Sequence, residues 1–202
     1  MKRLLWDVDT QVDFVHADGK LVVPAAEEAA PAMARLVEWA RAEGITHVAS
    51  ADDHELTDGE ISDAPDYTAT YPPHCLRGTA GAAKVPETSQ LDPVPLALTE
   101  VPGRWLRGRE FLLLKKHFDV FTNPNTERLL ELLDPEEVVV FGVATDVCDD
   151  AAIRGLLARG RSVAFVEEAS RGLDEQRTSA CTAGWREAGV RFVTVEEVLA
   201  GS

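Results

Sequence analysis

The run Val138-Val139-Val140-Phe141-Gly142-Val143-Ala144-Thr145-Asp146-Val147-Cys148 decides how the chain is read. It opens as a continuous apolar, β-branched stretch, the pattern of a strand buried on both faces. A turn of small residues follows, and then a helix start. Cys148 is thereby placed at the mouth of an open α/β sheet, over a helix N-terminus. Aligned peptide dipoles favour negative charge there, so a lowered thiol pKa is expected. A free cysteine is more commonly just a small buried hydrophobe. The weight given to Cys148 therefore depends on its company.

Working outward, the same alternation recurs. Lys2 to Asp9, Thr46 to Ala51, Phe111 to Lys115, Glu137 to Val143, Ser162 to Val166 and Val190 to Val193 read as strands. Glu27 to Glu43 has Met33, Leu36, Val37 and Ala40 at helical spacing and is stopped by Gly44. Asn125 to Leu133, Asp146 to Arg159 (closed by Gly160) and Asp174 to Ala188 (closed by Gly189) read as further helices. Residues 52–109 are rich in Pro, Gly, Asp and Thr without a sustained period, and so long a loop in a compact domain is usually functional. Strands alternating with helices predict an α/β fold, a parallel sheet covered on both faces, with residues 1–202 as a single domain.

Length and composition agree. A chain of 202 residues with 45% hydrophobic and 27% charged residues fits one globular unit with a full core. The net charge of -15 speaks against nucleic acid or an anionic membrane surface as partner. No apolar run reaches 18 residues, and the N-terminus opens on Leu4-Leu5-Trp6 rather than a signal peptide. Cys75, Cys148 and Cys181 make no paired framework, which fits a reducing compartment, and the expected location is the cytoplasm.

In open α/β sheets reactive groups gather beyond the carboxyl ends of the strands. Asp9, Asp52, Lys116 and the turn from Thr145 to Cys148 each lie just past such an end. Asp9-Thr10-Gln11-Val12-Asp13-Phe14, Lys116 five residues before Phe121, and Gly142-Val143-Ala144-Thr145-Asp146-Val147-Cys148 together resemble the isochorismatase-like cysteine hydrolase family, over roughly residues 3–195. Tyr71-Pro72-Pro73-His74-Cys75-Leu76-Arg77-Gly78-Thr79 resembles its nicotinamidase branch. The resemblance implies a three-layer, doubly wound parallel sheet and an Asp-Lys-Cys triad at Asp9, Lys116 and Cys148. It also implies a cis peptide between Val143 and Ala144. In that scheme Asp9 accepts the thiol proton and returns it to the leaving amine. Lys116 lowers the thiol pKa and orients Asp9, while the N–H groups of Ala144 and Cys148 form the oxyanion hole. Lys115 competes with Lys116; alternation puts the two on opposite faces, and the distance to Phe121 favours Lys116.

A second constellation is Asp52, His54, Glu60 and His74. Asp52 and His54, two apart at a strand end, can both point into one cleft. Nicotinamidases use Asp and three His around a divalent metal, so the resemblance implies a Zn, Mn or Fe ion here. Glu60 stands where the third ligand is a histidine, and a carboxylate remains a competent ligand. Glu55, Asp58 and Asp63 are alternatives to Glu60, whereas Cys75 is read as a packing residue. Phe14, Tyr71 and Phe121 are the aromatic candidates for sandwiching a flat substrate, with Trp105 as a further one.

The expectation is thus a metal-dependent amidohydrolase that hydrolyses a small planar amide, as nicotinamide to nicotinate and ammonia, through a cysteine thioester. Alternatives are an N-carbamoyl or ureide amidohydrolase, with Arg77 or Arg104 meeting a substrate carboxylate, and a non-catalytic binding protein on the same fold. A vinyl ether hydrolase is disfavoured by the cysteine and the metal-type ligands together. Relatives are commonly oligomeric, so a homo-oligomer is expected.

Overall fold

A chain whose strands are apolar on both faces has to cover both faces of its sheet, and it does so here. The computed structural model describes residues 1–101 and 108–201. Trp105 and Arg104 lie outside the described residues. Seven strands form one sheet: β1 (Arg3–Val8), β2 (Thr46–Asp52), β3 (Val94–Leu96), β4 (Glu110–Lys115), β5 (Glu137–Val143), β6 (Ser162–Arg171) and β7 (Arg191–Phe192). All pairings are parallel, in the order β3-β4-β2-β1-β5-β6-β7. The chain winds outward from β1 in one direction and restarts at β5 in the other. The crevice at this reversal opens beyond the carboxyl ends of β1 and β5, where open α/β sheets place their ligands.

One face of the sheet is covered by α1 (Val12–Val15), α2 (Ala26–Glu43) and α6 (Val195–Leu199). Met33, Leu36, Val37 and Ala40 of α2 pack there on Leu5, Val139 and Phe141. The other face is covered by α3 (Thr126–Leu133), α4 (Asp150–Ala158) and α5 (Glu175–Glu187), with Ile153, Leu156 and Trp185 packed on Trp6, Val140 and Phe165. Gly44 ends α2 in the left-handed region (φ 65), and its N–H caps the Ala40 carbonyl. Gly142 (φ 143) lies so close to β1 that a Cβ would collide with the Val8 carbonyl, which holds β5 tight against β1 at the crevice.

Several boundaries differ from the sequence expectation. The long loop of residues 52–109 contains β3, a three-residue edge strand too short to show a period. It is also pinned by isolated bridges His54–Leu76, Ile61–Tyr71 and Gln11–Lys84. The helix expected from Asp146 begins instead as a π-turn over Thr145–Asp149, and α4 proper starts at Asp150. β6 continues past Val166 to Arg171. The unanticipated α6 carries a legible capping box, Thr194 with Glu197. Among the described residues no helix is long and apolar enough to cross a membrane.

Candidate active site and metal centre

β1 ends at Val8, and Asp9 turns the chain in a left-handed conformation (φ 49) that leaves its carboxylate buried over the crevice. Ser50 donates its hydroxyl to Asp9 Oδ1 at 2.7 Å. β4 lies beside β2 in a register that sets Lys115 opposite Asp52. The Lys115 amine reaches Asp9 Oδ2 at 2.8 Å, Asp52 Oδ1 at 2.5 Å and Cys148 Sγ at 3.8 Å. Asp9 and Cys148 therefore flank one lysine, and it is Lys115 rather than the expected Lys116.

Lys116 belongs elsewhere: its amine pairs with Asp58 at 2.7 Å, at the rim. The physical reason is the pleat. Phe111, Leu113 and Lys115 of β4 are buried on the face that carries Cys148, and Lys116 is turned away from it. Apolar residues stand on both sides of β4, so hydrophobicity in the sequence did not say which side faced the crevice.

The buried charges are interlocked. Burial opposes the charge on Lys115, but Asp52 and Asp9 outweigh it and hold the amine protonated, well above its ordinary range. Burial likewise opposes the Asp52 carboxylate, which Lys115, His54 and His74 nonetheless hold well below its ordinary range. Asp9 is raised, by burial first and then by the Asp52 charge, against the pull of Lys115. Cys148 departs from expectation: burial pushes its thiol well up, and Asp9 and Asp52 reinforce that against Lys115. The cost of burying a thiolate here exceeds what the helix start and one already paired ammonium return. The peptide between Val143 and Ala144 is cis, as the resemblance implied.

Asp52 links this cluster to the second one. Its Oδ2 lies 3.7 Å from His54 Nε2 and 3.6 Å from His74 Nε2. One ligand atom each from Asp52, His54, Glu60 and His74 falls within 4.8 Å of all the others, and all four residues are buried. His54 Nε2 and Glu60 Oε2 have no hydrogen-bond partner among the described residues. Two imidazoles and two carboxylates converging around these two buried, unpartnered atoms fit a divalent cation. Glu60 is raised by burial and by the Asp52 charge, the strain that a cation would relieve. The alternatives to Glu60 are otherwise engaged: Asp58 with Lys116 and Glu55 with Arg77, while Asp63 is not in the group.

Phe14, Tyr71, Asp52, Glu60, His74 and Cys148 line one small cavity of ≈ 20 Å³, room for about one water, so a ring-sized ligand requires its walls to part. Leu21, Val23, Ala144, Val147 and Leu173 complete its apolar wall. Leu173 follows β6 and carried no signal in sequence. Phe121 does not line this cavity. It packs on Trp6, lies under the Arg159 guanidinium, and meets Gly155 so closely that a Cβ there would collide with the ring. Arg77 is turned to Asp53 and Glu55 at the surface.

Two residues of the Asp-x-Gln-x-Asp stretch are scaffolding. Gln11 accepts from the Asp52 N–H at 2.7 Å and donates to the Asp52 and Ala82 carbonyls at 2.8 Å, clamping the end of β2. Asp13 accepts from the Cys75 N–H at 2.7 Å and so holds the segment carrying His74. Cys75 itself is fully buried in the core, a packing residue.

A thiol, a carboxylate and an ammonium thus gather at the switch point of a doubly wound parallel sheet, the fold of the isochorismatase-like hydrolases. The chain belongs to the isochorismatase family: residues 4–197 match the family described as "Isochorismatase domain". It is 28% identical over 194 residues to the nicotinamidase/pyrazinamidase of Mycobacterium tuberculosis (strain ATCC 25618 / H37Rv), covering 95% of this chain and 98% of that one. Its fold is similar to the pyrazinamidase of Pyrococcus horikoshii in complex with zinc (TM-score 0.75, 20% identity, 96% and 99% of the two chains). It is equally similar to N-carbamoylsarcosine amidase from Thermoplasma acidophilum (TM-score 0.75, 22% identity, 98% of each chain). At those identities the structural likeness concerns the fold alone.

Proposed function

We propose that this hydrolase cleaves a small, neutral, planar carboxamide, with nicotinamide as the reference substrate, by way of a thioester on Cys148. The observation that carries the reading is Lys115, one buried ammonium that joins Asp9, Cys148 and the ligand residue Asp52. Asp9 takes the proton from Cys148 Sγ as the sulfur attacks the carbonyl carbon. Lys115 favours the thiolate while that proton is away. The N–H groups of Ala144 and Cys148 receive the developing oxyanion. Asp9 returns the proton to the amide nitrogen, the C–N bond breaks and ammonia leaves. Water, deprotonated by Asp9, then hydrolyses the thioester to the acid and restores the thiol.

Asp52, His54, Glu60 and His74 would hold the divalent ion, which supplies a Lewis-acidic point where a substrate lone pair can dock. Phe14 and Tyr71 flank the space in which a flat ring would lie. The relative from M. tuberculosis supports an amide of the nicotinamide kind. The commitment of Arg77 to Asp53 and Glu55 counts against Arg77 as the cation for an N-carbamoyl carboxylate.

The test is ammonia release by purified, metal-analysed protein from nicotinamide, pyrazinamide, an N-carbamoyl amino acid and a ureide, with Cys148→Ala as the control. Turnover of the two ring amides, reduced at least about 1,000-fold in Cys148→Ala, is the expected result. Turnover confined to the N-carbamoyl compound or ureide refutes the substrate assignment, and full activity in Cys148→Ala refutes the thioester.

A further inference from the structure

The residue that alternation turns away from the thiol has a place of its own. Lys116 Nζ donates to Asp58 Oδ2 at 2.7 Å. The same oxygen accepts the Glu55 N–H at 2.7 Å and lies 3.4 Å from His54 Nδ1. His54 Nε2 points the opposite way, to Asp52. At His74 the arrangement is parallel: Nδ1 lies 2.7 Å from the Pro72 carbonyl oxygen, and Nε2 faces Asp52. A carbonyl can only accept, so His74 carries its proton on Nδ1 and presents Nε2 as a lone pair. The Asp58 carboxylate, nearer to His54 Nδ1 at 3.4 Å than Asp52 is to Nε2 at 3.7 Å, favours the same tautomer.

We propose that Asp58, anchored by Lys116, is the positioning residue that fixes the tautomer and orientation of His54 for metal binding. This rests on the metal reading above and adds to it the group that orients one ligand. The two imidazoles are held by different means. His74 is oriented by main chain, which no side-chain replacement removes, whereas His54 depends on a charged side chain. A carboxylate partner also makes the imidazole a more basic ligand than a carbonyl does. The adjacent lysines of β4 then divide the work: Lys115 serves the thiol and Asp52, and Lys116 serves Asp58 and His54.

The experiment measures Zn²⁺ affinity of purified apo-protein by competition with a chromophoric chelator, alongside long-range ¹H–¹⁵N spectra of the histidine rings without metal at alkaline pH, where both rings are neutral. Wild type should bind one Zn²⁺ and show His54 as the Nδ1–H tautomer. Asp58→Ala should raise the Kd about 10- to 100-fold and leave His54 a mixture of tautomers, with the His74 signals unmoved. Asp58→Asn should recover part of the affinity, because its amide oxygen still accepts from Nδ1–H. If Asp58→Ala does not fold, Lys116→Met, which frees Asp58, should raise the Kd several-fold. Tight Zn²⁺ binding by wild type with unchanged Kd and tautomer in the variants overturns the role of Asp58 and leaves the metal centre standing. Wild type that binds no Zn²⁺ overturns both.

Discussion

Replacing Lys115 with Met is the most searching test of the crevice, because Lys116→Met offers a control one residue away. Lys115 is fully buried and is the ammonium between two buried carboxylates, at 2.8 Å from Asp9 and 2.5 Å from Asp52. Removing one partner of a buried ion pair costs about 3–5 kcal/mol, since the charge left behind has no water to turn to. For a chain of this size each kcal/mol moves the midpoint of unfolding by about 2–4 °C, so Lys115→Met should melt about 6–20 °C below wild type.

The loss should also depend on pH in a defined direction. Lys115 lowers the pKa of both carboxyls, so in its absence Asp9, already raised, rises further and Asp52 loses what holds it low. A carboxyl whose folded pKa exceeds its unfolded value contributes stability at low pH and loses it as pH rises through the folded pKa. The melting deficit should therefore widen as pH rises through and above the ordinary carboxylate range, where Asp9 and Asp52 must be charged without their partner. Lys116→Met breaks a pair at the rim, worth about 0–1 kcal/mol, and should melt within about 4 °C of wild type at all pH values. Calorimetry across pH reads these outcomes, and ammonia release at saturating metal reads activity, which should fall at least about 1,000-fold in Lys115→Met. A Lys115→Met protein with wild-type stability and activity, beside a crippled Lys116→Met, would refute the placement of the lysine.

Two further outcomes are expected. Asp9 raises the thiol pKa of Cys148, so Asp9→Asn should shift the pH profile of iodoacetamide alkylation at Cys148 to lower pH while abolishing turnover. A shift to higher pH would mean that Asp9 does not face the thiol. Burial works against protonation of His54, but Asp52 and then Glu60 outweigh it and raise its pKa above the ordinary histidine value. Metal binding needs the neutral ring, so apparent Zn²⁺ affinity should fall as pH drops, beginning above about pH 6.5, by about tenfold per unit for each proton displaced. Affinity that stays flat from pH 8 to pH 5 would exclude His54 as a ligand.

The sequence by itself determined the layering and where the sheet opens its crevice. Apolar runs stopped by Gly44, Gly160 and Gly189 dictate buried parallel strands between helices, because each signal acts within a few residues. Asp9, Asp52 and Cys148 were legible because strand ends are legible, and strand ends are where such a sheet opens. Glu60 and His74 were legible through the resemblance, which brought a ligand set from far along the chain. What only the tertiary structure decided is which way a side chain faces and how dry its surroundings are. Alternation says that Lys115 and Lys116 differ; the register of β4 against β2 says which of them meets Asp52. Phe121 follows β4 and packs on Trp6, and Arg77 pairs across the loop with Asp53 and Glu55, contacts that no local pattern encodes. The thiol of Cys148 sits at a helix start that favours its charge, yet its pKa rises, because the burial that opposes the charge is contributed by distant parts of the chain.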